Sequence, residues 1–200
     1  MLTTVKEQQH EKRSVQMSLE KYLIEYCAPT LASLKTANMF SLIVTDEQEF
    51  MIQFDAVNRW LEKKGLLLAE LCRRKNRALL YVCRRSHLQR DLEREDIRAF
   101  LTNYGYENMT VDTSLERLKN RFKEREDFPH EIGVFLGYPL EDVVGFIQNE
   151  GKNCKCSGIW KVYSDELEAK KLFARFLRCR DVYMRLWGQG RPIWNMTVMA

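Results

Sequence analysis

The longest uninterrupted apolar run of this 200-residue chain covers residues 78–83 and holds only six side chains. A helix that crosses a bilayer needs about 20 consecutive apolar residues, so the pattern excludes a transmembrane helix and predicts short core elements. Because 45% of the residues are hydrophobic, these elements together can bury a substantial core. We expect one domain over residues 17–190, with a frayed tail at residues 1–16 and a C-terminal tail at residues 191–200.

Charge and cysteine usage favour a cytoplasmic protein. The chain carries 32 Lys and Arg against 28 Asp and Glu, interspersed along most of its length, so neither a histone-like protein nor an acidic disordered tail is indicated. The first 14 residues are polar and lack the apolar region of a secretion signal. The six cysteines are therefore expected to be reduced thiols.

Apolar spacings of three and four residues predict six to eight helices. The clearest one follows Asp46 and ends at Gly65, because Phe50, Phe54 and Leu61 share one face. The other predicted helices are one capped by Ser18 and interrupted at Pro29, a short one through Leu34 and Lys35, one over residues 88–104, one capped by Thr113, two started by Pro129 and Pro139, and a long one capped by Asp165.

Four short segments have the composition of buried strands, at residues 39–44, 66–72, 77–84 and 159–163. The second and third flank a polar turn and predict an antiparallel hairpin. The order of elements predicts an α+β domain with about four strands in an antiparallel or mixed sheet covered by helices, such as a decorated split-βαβ arrangement.

Residues 128–147 are the most unusual stretch, since three glycines, two prolines and a His-Glu pair lie in apolar surroundings. Gly133, Gly137 and Gly145 imply that another backbone or a ligand approaches closely. His130 and Glu131 either line a pocket as ligand contacts or as an acid and base, or make ordinary contacts with a carbonyl and with solvent.

Three of the six cysteines are candidates for chemistry. Cys154 and Cys156 flank a lysine in a polar, glycine-flanked segment, which favours an accessible thiolate. A metal site would need further ligands such as Cys27 or His130, and nothing in the sequence brings them together, so no metal is assigned. Cys72, Cys83 and Cys179 lie in apolar patterns and are expected to be inert.

Residues 73–90 hold seven cations and no acid, which is the one charge anomaly of the chain. The pattern favours either a docking surface for an anionic partner or a solvated hairpin. Nucleic acid is not expected, because one tyrosine is too little for a base-stacking platform. The candidate patch is Arg73, Arg74, Lys75, Arg77, Arg84 and Arg85.

Three stretches carry a family resemblance: CAPTLASLKTANMFS at 27–41, HEIGVFLGYPLEDVVGFI at 130–147, and GIWKVY at 158–163. From about residue 27 to residue 190 the chain resembles the domain-of-unknown-function family DUF3793. The resemblance implies a cytosolic bacterial protein, with a loose association with flavodoxin-like neighbours, and it implies no activity and no particular cofactor.

Walker loops, dinucleotide fingerprints and serine nucleophile elbows are not found in the sequence, so no common enzyme class is indicated. We expect the three stretches to converge around one pocket that binds a small anionic or aromatic ligand. The two alternatives are a regulatory protein that docks an acidic partner, such as a flavodoxin, or RNA through the basic hairpin, and a thiol or metal redox protein. The candidate ligand contacts are Lys35, Asn38, His130, Glu131, Tyr138 and Lys161.

Overall fold

The fold is described from a computed structural model, which covers residues 18–124 and 128–199; the predicted tail at residues 1–16 lies outside the described residues. Two strands of two residues each precede the last long helix, and a helix of four residues follows it. In chain order the elements are α1 (Leu19–Leu31), β1 (Ala37–Ile43), α2 (Glu47–Lys63), β2 (Leu66–Arg74), β3 (Arg77–Arg84), α3 (Arg85–Glu93), α4 (Glu95–Thr102), α5 (Val111–Glu124), α6 (Ile132–Phe135), α7 (Leu140–Gln148), β4 (Cys156–Ser157), β5 (Lys161–Val162), α8 (Glu166–Gly188) and α9 (Ile193–Met196).

The main sheet has three antiparallel strands in the order β1-β3-β2. The α+β class and the β2–β3 hairpin are confirmed, whereas a four-stranded sheet is not. The predicted fourth strand is shortened to β5, which pairs with β4 in a separate ribbon. It stops at Val162 because the next two backbone N–H groups, of Tyr163 and Ser164, donate to Asp142 instead of a strand.

The sheet is the middle of three layers because the side chains of each strand alternate between its two faces. Phe40, Leu80 and Val82 pack on one face with α1, α2 and α8. Tyr81 and Cys83 pack on the other face with the helices from α3 to α7. The hydroxyl of Tyr81 donates to the Phe135 carbonyl at 2.6 Å, which ties α6 to the sheet.

Three predicted helix caps are confirmed. The side chains of Ser18, Asp46 and Asp165 accept hydrogen bonds from backbone N–H groups in the first turns of α1, α2 and α8. The cap of α5 differs from the prediction: the hydroxyl of Thr110, rather than that of Thr113, accepts from a first-turn N–H.

Two predicted helix boundaries are wrong. Helix α1 continues through Pro29 to Leu31, and the short helix predicted through Leu34 and Lys35 is a turn. The helix predicted over residues 88–104 is two helices, since Arg94 adopts an extended conformation with ψ of 132° between α3 and α4. Within the described residues there are nine helices, one more than the upper prediction.

Residues 191–199 pack as part of the domain rather than as the predicted C-terminal tail. Ile193 and Met196 of α9 are buried in the core formed by α1, α2 and α8. The N–H of Val198 donates to the Leu31 carbonyl at 3.0 Å. The fully buried guanidinium of Arg84 donates to the carbonyls of Val198 and Leu31, so the end of the described chain is held against α1 and β3.

Candidate ligand cavity

Three segments that lie far apart in the sequence meet around one cavity of about 310 Å³. β1 contributes one residue, the α6–α7 region contributes residues between 128 and 146, and the β4–β5 ribbon contributes residues 157–161. These are the three segments that were expected to converge. The lining consists of Met39, Phe128, His130, Ile132, Gly133, Leu136, Tyr138, Asp142, Val143, Phe146, Ser157, Gly158, Ile159, Trp160 and Lys161.

Aromatic rings in preset orientations form much of the cavity wall. Tyr138 stacks on Trp160 with ring centroids 4.8 Å apart and planes inclined by 26°. Phe173 meets the same indole edge-on at 4.5 Å from outside the lining. His130 and Phe146, which also line the cavity, form a T-shaped pair with ring centroids 4.9 Å apart. Such offset and edge-to-face pairs are favourable geometries, so the rings are held in place before any ligand binds.

Glycines allow the walls to pack this closely, but their near neighbours are side chains rather than the backbone or ligand that the sequence predicted. A Cβ atom at Gly145 would lie 2.6 Å from the side chain of Tyr163, and one at Gly133 would lie 2.7 Å from Val143. Gly137 has a φ of 71°, and a Cβ there would lie 2.9 Å from Thr36. The neighbours are side chains of other elements, so the glycines bring α6, α7 and the ribbon together.

Asp142 joins the two sides of the cavity. Its carboxylate, which is 2% exposed, accepts hydrogen bonds from the indole N–H of Trp160 at 2.7 Å and from the backbone N–H groups of Tyr163 and Ser164. Burial alone would raise the pKa of Asp142, but these hydrogen bonds outweigh it and hold the pKa below its ordinary value. A fixed carboxylate on α7 thus sets the position of Trp160.

Lys161 places positive charge at the cavity. Its Nζ donates to the Gly151 carbonyl at 2.7 Å and lies 5.8 Å from the centroid of the Phe146 ring. A lysine ammonium has three N–H donors, so two remain for a bound anion. His130, which is exposed, adds a second polar group on the same side through its contact with Phe146.

Lys35 lies behind the wall and is absent from the cavity lining. Its Nζ donates to the Ala37 carbonyl and sits 4.9 Å above the Tyr138 ring, on which it makes a cation–π contact. Burial lowers the pKa of Lys35 to about 7, with a small opposing effect from Cys27. Lys35 therefore supports Tyr138 from behind.

The other predicted contacts lie in different places. His130, Tyr138 and Lys161 line the cavity, whereas Asn38 and Glu131 do not. Asn38 accepts a hydrogen bond from the Thr30 hydroxyl at 2.7 Å. Glu131 is 1% exposed and forms a 2.6 Å ion pair with Arg121, which differs from both expected roles, a pocket acid and a solvated carboxylate.

The thiol candidates are spread over different environments. Cys27 is fully buried in α1, and burial raises its pKa far above the ordinary value, which disfavours a thiolate. Cys154 and Cys156 are half-buried and free. Among the described residues, no three His, Cys, Asp or Glu side chains are arranged to hold a metal ion.

The predicted basic patch is not one surface. Arg84 is buried, and Arg85 pairs with Asp112. Arg73 pairs with Glu47 and with Glu70, both at 2.6 Å. Arg74, Lys75 and Arg77 remain near the tip of the β2–β3 hairpin, where Arg77 donates to the hydroxyl of Ser41.

Sequence reasoning missed the central residues of this cavity. The sequence pattern pointed to no role for Asp142 in a site, and it placed Trp160 in a strand. Residues 141 and 142 are both acidic, and the sequence does not show that Asp142 is the one that is buried and needs a partner. Phe128 and Phe146 carry no signal apart from core packing.

No helix of the described residues is long and apolar enough to span a membrane.

Comparison with known proteins gives one match, to a protein family. Neither the curated proteins nor the solved structures contain a match to this chain. The model of the family described as "Protein of unknown function (DUF3793)" matches residues 23–197, a range that includes the cavity and its supporting helices. The chain therefore belongs to the DUF3793 family.

Proposed function

We propose that this protein binds a small aromatic ligand with an anionic group in the cavity between α6, α7 and the β4–β5 ribbon. The observation that carries the proposal is the stacked Tyr138–Trp160 pair in a cavity that Lys161 also lines. Apolar walls with a few oriented polar groups are typical of small-molecule sites.

The size of the cavity limits the ligand. Its volume of about 310 Å³ lies at the lower end of the range for ligand sites, roughly 300–1,000 Å³. A compound of one or two rings suits this volume better than a dinucleotide. We expect its ring to pack against Phe146 and Trp160.

The charges favour an anion over a cation. Two N–H groups of Lys161 are free to donate once the bond to the Gly151 carbonyl is counted. The Asp142 carboxylate also lines the cavity, but three protein donors already occupy it, so it is a poor partner for a ligand ammonium group. A carboxylate or phosphate on the ligand would bind beside Lys161.

The free state of all six cysteines supports a reducing compartment, so we place this binding in the cytoplasm of a bacterial cell, as the family resemblance implies. Neither the dispersed cations of the hairpin nor the half-buried Cys154 and Cys156 favour a second function over this one.

A thermal-shift screen tests the proposal, because a ligand that binds the folded state raises the melting temperature. The panel contains aromatic carboxylates and phosphates, the matching neutral amides and amines, and aliphatic acids. We expect the aromatic acids to raise Tm and the amines to have no effect. Equal shifts from acids and amines, or no shift from any aromatic acid, would contradict the proposal.

Variants of the cavity make the screen specific. Lys161→Met should weaken binding of an aromatic acid about tenfold, because it removes one charge-assisted hydrogen bond of roughly 1.5 kcal/mol or more. Lys171→Met removes an exposed lysine of α8 outside the cavity and should leave binding unchanged. Loss of binding in both variants would indicate nonspecific charge attraction.

A further inference from the structure

A serine, a histidine and an aspartate lie together where the turn between α1 and β1 meets α3, outside the cavity lining. The Ser33 hydroxyl oxygen is 3.4 Å from Nε2 of His87. Asp91 lies one helical turn after His87 on α3, and its Oδ2 accepts a 2.6 Å hydrogen bond from the Thr36 hydroxyl. The turn and the helix are therefore joined by two polar contacts, one through the serine and one through the aspartate.

The conformation of Ser33 is the first argument for a role beyond folding. Its φ is 60°, in the left-handed region, and the Leu34 N–H reaches back to the Pro29 carbonyl at 2.8 Å to close α1. Helices usually end this way with glycine, since any side chain is strained at that position. With serine instead of glycine at position 33 the backbone is strained, but a hydroxyl group lies next to His87.

The state of His87 is the second argument. Burial lowers its pKa, the nearby Arg90 and Arg84 lower it further, and Asp91 opposes them by raising it. The imidazole is therefore neutral near pH 7, and Nε2 can accept the serine proton when Nδ1 carries the other one. His87 also lies in the first turn of α3, where the helix dipole stabilises developing negative charge.

We propose that Ser33, His87 and Asp91 form a second site that hydrolyses small carboxylic esters, with Ser33 as nucleophile, His87 as base and Asp91 as a positioning residue. Ser33 and His87 are half-buried, so a small ester can reach the hydroxyl from solvent. In apo enzymes the nucleophile–base contact is often longer than in the substrate complex, in line with the 3.4 Å separation.

The chemical steps balance without any added cofactor. The Ser33 oxygen attacks the ester carbonyl and passes its proton to Nε2 of His87, and the carbon–oxygen bond to the alcohol then breaks. The leaving alkoxide takes that proton from the imidazolium and departs as the alcohol. Water, activated by the same imidazole, hydrolyses the acyl-serine and releases the carboxylic acid, which restores the serine.

A fluorophosphonate probe tests the nucleophile, because it reacts with serines that a base activates. We expect intact-mass and peptide analysis to find one adduct on Ser33, and p-nitrophenyl acetate to be hydrolysed. Ser33→Ala should abolish both, and His87→Gln should slow both about 100-fold. Ser41→Ala, which changes a half-buried serine of β1 outside both sites, is the control and should label normally.

Two further readouts separate catalysis from a structural role. Ser33→Gly should raise the melting temperature, since glycine relieves the left-handed strain, yet it should not label. Asp91→Asn should shift the midpoint of the labelling-rate profile to lower pH, because Asp91 raises the pKa of His87 against the effects of burial, Arg90 and Arg84. Absence of a Ser33 adduct in the folded protein, or an unshifted profile in Asp91→Asn, would overturn the proposal.

Discussion

The indole of Trp160 donates a 2.7 Å hydrogen bond to Asp142, a residue 18 positions earlier in the chain. The same carboxylate accepts the two backbone N–H groups that follow β5, so one side chain of α7 holds both the ring and the end of the ribbon. A wall of the cavity is therefore positioned by a buried anion.

Asp142→Asn should destabilise the protein by about 2 kcal/mol. The amide nitrogen of asparagine is a donor, so one or more of the three donors around it would lose its acceptor while buried. Urea denaturation followed by Trp fluorescence measures the change. The control is Asp181→Asn, since Asp181 is exposed and pairs with Arg180 on the surface; a comparable loss there would refute the assigned role of Asp142.

The same carboxylate predicts a dependence of stability on acid. The folded pKa of Asp142 lies below its ordinary value of 3.8, so the unfolded chain binds a proton more readily than the folded one. This contribution is complete at neutral pH and is lost as the pH falls through the folded pKa. The free energy of unfolding of the wild type should fall more steeply below about pH 4 than that of Asp142→Asn, and parallel curves would contradict this.

Lys35 should make stability rise with pH near neutrality. Its pKa is about 7 in the folded protein and 10.5 as an ordinary lysine, so the unfolded chain holds more protons in this interval. Between about pH 6.5 and 8.5 the wild type should gain about 2 kcal/mol relative to Lys35→Met. Measurements above about pH 9 are avoided, because Cys27 then opposes the trend: its ordinary pKa of 9.0 is raised by burial.

Lys171→Met is the matched control for this series, since Lys171 is exposed on α8 and its side chain is paired with Glu168. Its pH curve should follow that of the wild type. A Lys35→Met curve with the wild-type slope would show that the ammonium of Lys35 is not desolvated in the folded protein.

Two helical glycines should respond to alanine in opposite directions. At Gly145 in α7, the new Cβ would lie 2.6 Å from Tyr163, and we expect a loss of about 1–3 kcal/mol. At Gly188 in α8, no atom lies within 4 Å, so alanine should stabilise by up to about 1 kcal/mol. Thermal unfolding of both variants measures the contrast, and a stabilising Gly145→Ala would disprove the close packing of α7 on Tyr163.

The cysteines should label with iodoacetamide in two groups. Burial raises the pKa of Cys72, raises that of Cys83 to about 12 and raises that of Cys179 to about 11, and Cys27 is fully buried. Cys154 and Cys156 are partly exposed, so they should be alkylated first at pH 8, by peptide mass spectrometry. Labelling much faster than that of a free thiol would revive the thiol-redox alternative, whereas early labelling of Cys27 would contradict its burial.

The sequence predicted those parts of the fold that depend on interactions between residues close together in the chain. The Ser18, Asp46 and Asp165 caps and the β2–β3 hairpin depend on neighbours within a few residues, and each is present. The end of the last strand could not be predicted, since it depends on Asp142, about 20 residues away. The continuation of α1 through Pro29 could not be predicted either, because the end of this helix is held by Arg84, which is more than 50 residues away in β3.

The candidate site was predictable as a region and not as a set of contacts. The glycines between residues 133 and 145 marked the close packing, and His130, Tyr138 and Lys161 do line the cavity. Lys35 and Asn38 come from the right segment but have partners within it, at Ala37 and Thr30. A sequence pattern shows which side of a helix or strand is buried, but it does not show which residue of another element packs against that side.

The Arg84 guanidinium donates to the Val198 carbonyl, 114 residues later in the chain, as well as to the end of α1. During synthesis, β3 leaves the ribosome long before residues 193–198 do. Until they arrive, Arg84 lacks one of its carbonyl acceptors and the apolar surface that Ile193 covers stays open to water. A chain that is clipped before residue 193 would thus expose apolar core surface of the kind that chaperones and proteases recognise.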